Sequence, residues 1–566
     1  MSYPNALSVA TVPPAQMSSQ QKEDLITSLL ASLPRASLVR IKQRIDPLLF
    51  VDIVGRVPDE VALLVFSHLP CWDLLRCRIV CKQWQRLADD PMLWRGLCER
   101  RGYRWKDPST TPQASSSTDA HSDDEGMGDE EELEFNDTFF DPINDSGLAL
   151  DDTLWADSDS DSDSVATMRP DSWHYSSPNV SHSHRSTRTA SPAPGAAVPD
   201  WRRLYLTRTV LRRRFFAGAF RQTKLQTRGT HNSHASTIYC LQLYTYPETG
   251  VQVLFTGSRD RTIREWNLAT GAVQRVIEGV HEGSVLSLCA RNGLLASAGS
   301  DGRTVIYDLA SSRVLNVIQD HVDSVLCVRF DDKYLVSCSK DRSVRVYRLH
   351  PTLTPHQVLL GHRAAVNTIA LSANHVISAS GDKAVRIWDV ESGKLLGEME
   401  NHHSRGIAAI DAAYPAIVTG SSDQHIRLVD VRNGTGWSTA APFEPTHPYV
   451  DEEDEDAPDS HAPGQVCASC GAGANEDEPR PHASHTDLVR SVAMDADFVV
   501  SGSYDHRVKI WCRRTGRQLA ELSGGHSARV FCVDFDATKV VSCGEDQNIV
   551  VWNFAHGLDT SFIPFN

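Results

Sequence analysis

Two periodicities divide this 566-residue chain. Before residue 106, and again over 201–216, apolar residues recur at helical spacing. From about residue 220 they fall in short strand-like runs punctuated by turns. In that C-terminal part a turn-plus-strand unit occurs seven times, at 260–267, 301–308, 341–348, 382–389, 423–430, 505–512 and 546–553. Its opening Asp steps by 41, 40, 41, 41, 82 and 41 residues. The double step holds an acidic stretch without strand pattern, so the count is seven units and not eight.

Each unit carries a second register mark. A His stands 16 residues before a Ser or Thr, which stands four before the Asp, which stands six before an aromatic position. The sets are His281/Ser297/Asp301/Tyr307, His321/Ser337/Asp341/Tyr347, His362/Ser378/Asp382/Trp388, His403/Thr419/Asp423/Val429, His485/Ser501/Asp505/Trp511 and His526/Ser542/Asp546/Trp552. The first, His234/Thr256/Asp260/Trp266, is six residues longer between His and Thr, and Tyr246–Gly250 reads as a hairpin extension. These spacings resemble the WD-repeat family and imply four-stranded blades in which the four polar side chains satisfy one another. They are structural, not catalytic. Val429 lacks both the bulk and the donor of Trp, so the fifth blade is expected to have the weakest network. After Trp552 too little chain remains for an outer strand, and Gln222–Arg228 is placed to supply it.

The N-terminal helical pattern has two parts. Over 25–54, Leu25, Leu29, Leu33, Leu38, Ile41 and Ile45 make an apolar stripe. Over 56–103, Pro58-Asp59-Glu60 opens an amphipathic run, Pro70 breaks it, and Asp73 is expected to cap a second helix in a short unit of three helices. This block resembles an F-box, in Pro58, Phe66, Leu69, Asp73-Leu74-Leu75, Val80-Cys81, Trp84, Leu93-Trp94 and Leu97; Val57 stands where the family usually has Leu. Fewer than 50 residues bury little core alone, so leftover apolar surface calls for a partner. The resemblance implies a Skp-type adaptor and, through it, a cullin, with Pro58, Leu74, Leu75, Val80 and Trp84 at the adaptor interface or else in the domain's own core. Residues 20–54 resemble the segment preceding the F-box in fungal-type receptors. It reads as a homodimerisation element or as a helix packing on the F-box. Residues 201–216 read as a spacer helix with Arg212-Arg213-Arg214 on a solvated face.

Composition adds two segments. The net charge of −16 is concentrated in 107–199, with nineteen acidic residues and no Lys or Arg up to 168, and in 433–484, with eleven acidic residues and one Arg. Such stretches cannot bury enough apolar surface to order the chain and are expected to be disordered. The remainder is basic. The fold class is therefore multidomain: helical segment (20–54), F-box (55–106), acidic insert (107–199), linker helix (200–219), and a seven-bladed all-β propeller (220–554) with an acidic loop.

Thirteen cysteines, mostly single and in apolar runs, point to a reducing compartment, cytoplasm or nucleus. No secretory leader, membrane span, nucleotide loop, nucleophile–base pair or RING spacing is read. Cys467-x-x-Cys470 with His482 has ligands of zinc type but no fourth, so neither metal nor cofactor is expected. Nucleic acid and membrane are not expected partners.

The combined resemblance implies a non-catalytic substrate receptor of an SCF-type ubiquitin ligase. The alternative is a WD-repeat scaffold that bridges proteins without ubiquitin transfer. By resemblance, two positions per blade face a substrate at the narrow top: the fifth residue after the His and the residue before the Asp. They put Arg490, Arg259 and Lys340 beside Tyr239, Tyr504 and Phe531, a combination suited to an acidic or phosphorylated degron.

Overall fold

The computed structural model describes residues 18–49, 52, 54–106, 199–226, 233–440 and 484–564. They form two compact units. One comprises the chain up to Tyr103 with Asp200–Tyr205, the other the remainder.

In the helical unit, α1 (Ser19–Ala31) and α2 (Arg35–Leu49) precede α3 (Asp59–Ser67), α4 (Cys71–Arg78), α5 (Lys82–Ala88) and α6 (Pro91–Arg100). Where three helices are expected after Pro58 there are four, because Asp90-Pro91 starts a new one. The Asp90 carboxylate accepts the Met92 N–H at 2.8 Å, and Pro91 occupies the first turn, where no N–H is required. Asp73 does not cap α4. That helix begins two residues earlier, behind Pro70, and Asp73 lies in its first turn. Ala62, Phe66, Leu74, Leu87, Trp94 and Leu97 form the core. The Trp94 indole N–H donates to the Ala88 carbonyl at 2.8 Å, and its ring meets Tyr205 edge-on.

The final helix, α7 (Trp201–Ala217), gives its first turn to the helical unit and the rest to the β unit. There Phe215 stacks on Phe554 with centroids 3.9 Å apart. Of the three arginines expected on a solvated face, Arg213 is exposed, but the other two are anchored. Arg212 pairs with Asp497 at 3.0 Å, and Arg214 donates to the carbonyls of Phe554 and His556 at 2.7 Å each.

The described β strands form seven four-stranded antiparallel sheets. Blade one runs Ile238–Thr245, Gln252–Ser258, Ile263–Asn267, Val273–Ile277, and blades two to six repeat that consecutive order. First strands of successive blades touch right round the ring, blade seven returning to blade one. The outer strand of blade seven is Arg221–Gln226, paired antiparallel with Ile549–Asn553 so that Gln222 faces Trp552. The chain thus closes its ring with its own earlier segment, which removes the edge an open ring would leave. Thr227 and Arg228, read as part of that strand, lie outside the described residues.

Apolar cores lie between blades. One layer joins Phe255 and Ile263 of blade one to Val285, Leu295 and Val305 of blade two. Close approach fixes small residues there: a Cβ at Gly257 would come within 2.7 Å of Val285. The segment read as a loop from 433 first supplies blade five's outer strand, Gly436–Ser438, with Trp437 buried. Otherwise both acidic segments lie almost wholly outside the described residues.

Candidate functional site

The repeating polar residues meet as expected. In blade six the Trp511 indole N–H donates to Ser501 Oγ (2.8 Å), Ser501 lies 2.8 Å from His485 Nε2, and His485 Nδ1 lies 2.8 Å from Asp505. One arrangement satisfies every atom: indole N–H to hydroxyl, hydroxyl to Nε2, and Nδ1–H to carboxylate. The other Asp contacts explain why the residue must be Asp. In all seven blades its Oδ1 accepts the N–H two residues on, at 3.0–3.1 Å in blades one, two, four, five, six and seven and 2.9 Å in blade three. The residue between is left-handed each time, and only Gly302 is a glycine; Arg261, Arg342, Lys383, Gln424, His506 and Gln547 adopt positive φ as well. The carboxylate bond offsets a backbone strain of about 1 kcal/mol.

Burial lowers the pKa of His234, His321, His362, His403 and His485 against the pull of their aspartates, so the rings are neutral. In Asp505, burial pushes upward, but the His485 contact and two backbone N–H groups hold it down at about 2. Every side chain in this network is committed to holding two loops together.

Blade five departs from expectation. Val429 cannot donate to Thr419, yet Thr419 Oγ1 meets two imidazoles, His403 Nε2 at 2.8 Å and His402 Nε2 at 3.0 Å. His402 is 4% exposed, its ring perpendicular to that of His403. With the hydroxyl donating to His403, His402 must donate, which is the indole's part in blades one, four, six and seven. The sequence signal was the His402-His403 doublet.

At the channel mouth all seven of the first-position residues (Tyr239, Leu286, Leu326, Asn367, Ala408, Arg490 and Phe531) line one central cavity of about 70 Å³. The second-position residues are held alike in every blade: each backbone N–H donates to the carbonyl of the residue three after the His, as in Arg259 to Thr237 (2.9 Å) and Tyr504 to Leu488 (3.0 Å). Tyr239, Phe531 and Tyr504, from blades one, seven and six, form a continuous edge-to-face cluster at 5.2 and 5.4 Å. Arg490, also of blade six, reaches the Ala408 carbonyl at 3.4 Å. Arg259 on blade one and Lys340 on blade three are both exposed, and neither lines the cavity. Two residues escaped the sequence reading. Arg529 lies over the Tyr504 ring, 5.0 Å from its centroid, and Arg329 lines the cavity wall. Neither occupies either of the two marked positions.

On the helical unit the five interface candidates separate. Leu74 is 1% exposed and belongs to the core. Pro58 is exposed, Val80 is 59% exposed, and Leu75 and Trp84 are half-buried. Trp84 packs on Phe66 and donates to Asp52 at 2.9 Å. The Gly55 N–H and that indole hold Asp52 below the usual carboxylate range. Sequence reasoning missed a larger apolar surface: Val61, Leu64 and Val65 along α3, and Ile79 beside Val80, 86% exposed. Helical spacing marks a stripe but does not say which stripe a short domain buries.

Among the described residues no three His, Cys, Asp or Glu side chains are grouped to hold a metal, and no helix is long and apolar enough to cross a membrane. Cys467, Cys470 and His482 lie outside the described residues.

Comparison with known proteins agrees with the two-part architecture. The F-box-like family model matches residues 54–100, and the WD domain, G-beta repeat model matches 225–267, 312–348, 353–389, 480–512 and 516–553. Among relatives, an F-box protein of Saccharomyces cerevisiae is 29% identical over 76 residues (13% of this chain, 12% of that protein). Cell division control protein 4 of Candida albicans is 35% identical over 77 residues (13% and 11%). Probable E3 ubiquitin ligase complex SCF subunit sconB of Talaromyces stipitatus is 28% identical over 85 residues (15% and 13%). Each match spans only a small part of the relative's own length. The chain is an F-box plus WD40 β-propeller protein, similar over short stretches to fungal F-box proteins and to a fungal protein named as a probable SCF subunit.

Proposed function

We propose that this protein is the substrate-recognition subunit of an SCF-type cullin-RING ubiquitin ligase, working in the cytoplasm or nucleus. The observation that carries the reading is the presence, in one chain, of an F-box with uncovered apolar surface and a closed propeller with an aromatic and basic channel mouth. Val61, Leu64, Val65, Leu75, Ile79, Val80 and Trp84, with Pro58, form the face for a Skp-type adaptor, which joins a cullin. Burying exposed aliphatic area there yields about 25 cal/mol per Å² before association costs. The chain makes no covalent bond. It holds a substrate lysine near the charged conjugating enzyme and so raises its effective concentration.

The substrate segment is acidic or phosphorylated. Arg490, Arg259 and Arg529 supply guanidinium donors for carboxylate or phosphate, and Tyr239, Phe531 and Tyr504 pack against its apolar residues. Lys340 adds only long-range attraction from across the mouth. The exposed Ile26 and Leu29 of α1, Leu33 of the turn after it and Val39 of α2 favour a second copy as the partner of that segment.

The test is an array of acidic, phosphorylated and neutral peptides probed with the chain bound to its adaptor, followed by reconstituted ubiquitin transfer to a peptide that binds. Retention of acidic or phosphorylated peptides, lost in Arg490→Ala, supports the reading. Retention indifferent to peptide charge, or binding without any ubiquitin transfer in the complete ligase, favours the plain scaffold.

A further inference from the structure

The ring distributes cysteine unevenly. At the sixth residue after the His, on the inner strand, blades one, three and seven carry Cys240, Cys327 and Cys532, and all three line the central cavity. Across the ladder stand Gly257, Cys338 and Cys543 respectively. In blade one, a Cβ at Gly257 would lie 2.7 Å from the Cys240 sulfur, so this ladder step brings the two side chains into contact. In blades three and seven, therefore, two thiols face each other: one in the cavity wall, the other fully buried behind it.

The two pairs differ in the charged residue carried by their own strand. Two residues along the inner strand, blade three carries Arg329, in the wall of the same cavity, whereas blade seven carries the half-buried Asp534. A hydrogen bond from Cys338, and then the Arg329 charge, hold the Cys327 thiol well below its ordinary range despite burial. Burial pushes Cys338 well above that range and Cys532 up as well, and it raises the Asp534 carboxyl to about 7.

We propose that Cys327 and Cys338 form a hydroperoxide-reactive dithiol opening onto the central channel, with Arg329 as its positioning residue. The Cys327 sulfur attacks the peroxide; the O–O bond breaks, one oxygen stays on sulfur as a sulfenic acid, and the other leaves as water or an alcohol. Cys338 then attacks that sulfur, the S–S bond forms, and the sulfenic oxygen leaves as a second water with the Cys338 proton. The two thiols together lose two electrons and the peroxide gains them. Cys532 and Cys543, with the same ladder geometry but a carboxylate where blade three has its guanidinium, form a slow counterpart within the same molecule.

The test treats the full chain with hydrogen peroxide, quenches by alkylation over time, and maps linked peptides by mass spectrometry, with the exposed Cys81 as the reference thiol. The 327–338 link is expected to form about tenfold or more faster than the 532–543 link, since thiolate fraction sets the attack rate, and to reverse with dithiothreitol. Cys338→Ala, which places at this step the residue blades two and four already have, leaves a dimedone-reactive sulfenic acid at Cys327; Arg329→Gln slows its formation. Absence of the 327–338 link at a dose that oxidises Cys81, or equal rates for the two pairs, overturns the proposal.

Discussion

The propeller and the F-box solve the same problem in opposite ways. In the propeller, layers of aliphatic side chains lie between blades, each blade's polar loops are tied by a His–Ser/Thr–Asp network, and the last edge is covered by Arg221–Gln226. The four short helices after Pro58 bury Phe66, Leu74 and Trp94 but leave Leu64, Ile79 and Val80 mostly in water. One unit covers its apolar residues within itself; the other leaves some uncovered, on the face proposed above for the adaptor. The difference teaches that burial reports stability in the first and binding in the second, so the same kind of substitution should have different readouts in the two.

The largest effect is expected in the propeller core. Trp552, fully buried, packs against the closing region and donates to Ser542 at 3.1 Å. Trp552→Ala should cost about 3–5 kcal/mol of propeller stability by denaturant titration, and the F-box should still bind its adaptor.

Acid comes next. Six imidazoles (His234, His321, His362, His402, His403 and His485) have pKa values lowered by burial, that of His402 to about 3. The unfolded chain therefore binds more protons below about pH 6.5. Their contribution to stability is fully present above that pH and is lost as pH falls towards the folded values. The propeller's melting temperature should decline steadily from about pH 6.5 to about pH 5. The described helical unit holds no buried histidine and should lack that decline; a propeller melt flat across the range would remove the neutral-imidazole assignment.

A smaller effect isolates blade five. His402→Ala should cost about 1–3 kcal/mol by leaving Thr419 short of a donor, and His402→Gln, which keeps an N–H, should cost less. Equal losses for the two would mean that His402 acts through packing alone.

Much of this was legible in the chain because a register repeated seven times is a strong constraint. The recurring His, Ser or Thr, and Asp located every blade, and the want of residues after Trp552 located the closing strand. The aromatic cluster at the mouth followed from the same register. What the register could not convey was substitution of one donor by another from a neighbouring position, which is why His402 was missed. Gly436–Ser438 is too short for alternation to be visible. In the helical unit, Leu74 and Val80 both sit at apolar positions, and only tertiary packing decides that one is core and the other surface. Asp73 was misread as a cap because Pro70 already starts the helix.

The smallest stability change should accompany the largest loss of function. Ile79→Asp with Val80→Asp alters exposed positions and should shift folding stability by no more than about 0.5 kcal/mol. The decisive measurement is therefore the affinity of the full chain for a Skp-type adaptor, wild type against that double variant, by calorimetry alongside thermal melts. Tight binding by the wild type, lost in the variant while both melts stay in place, is the predicted result. No binding by the wild type, or equal binding by both, contradicts the account.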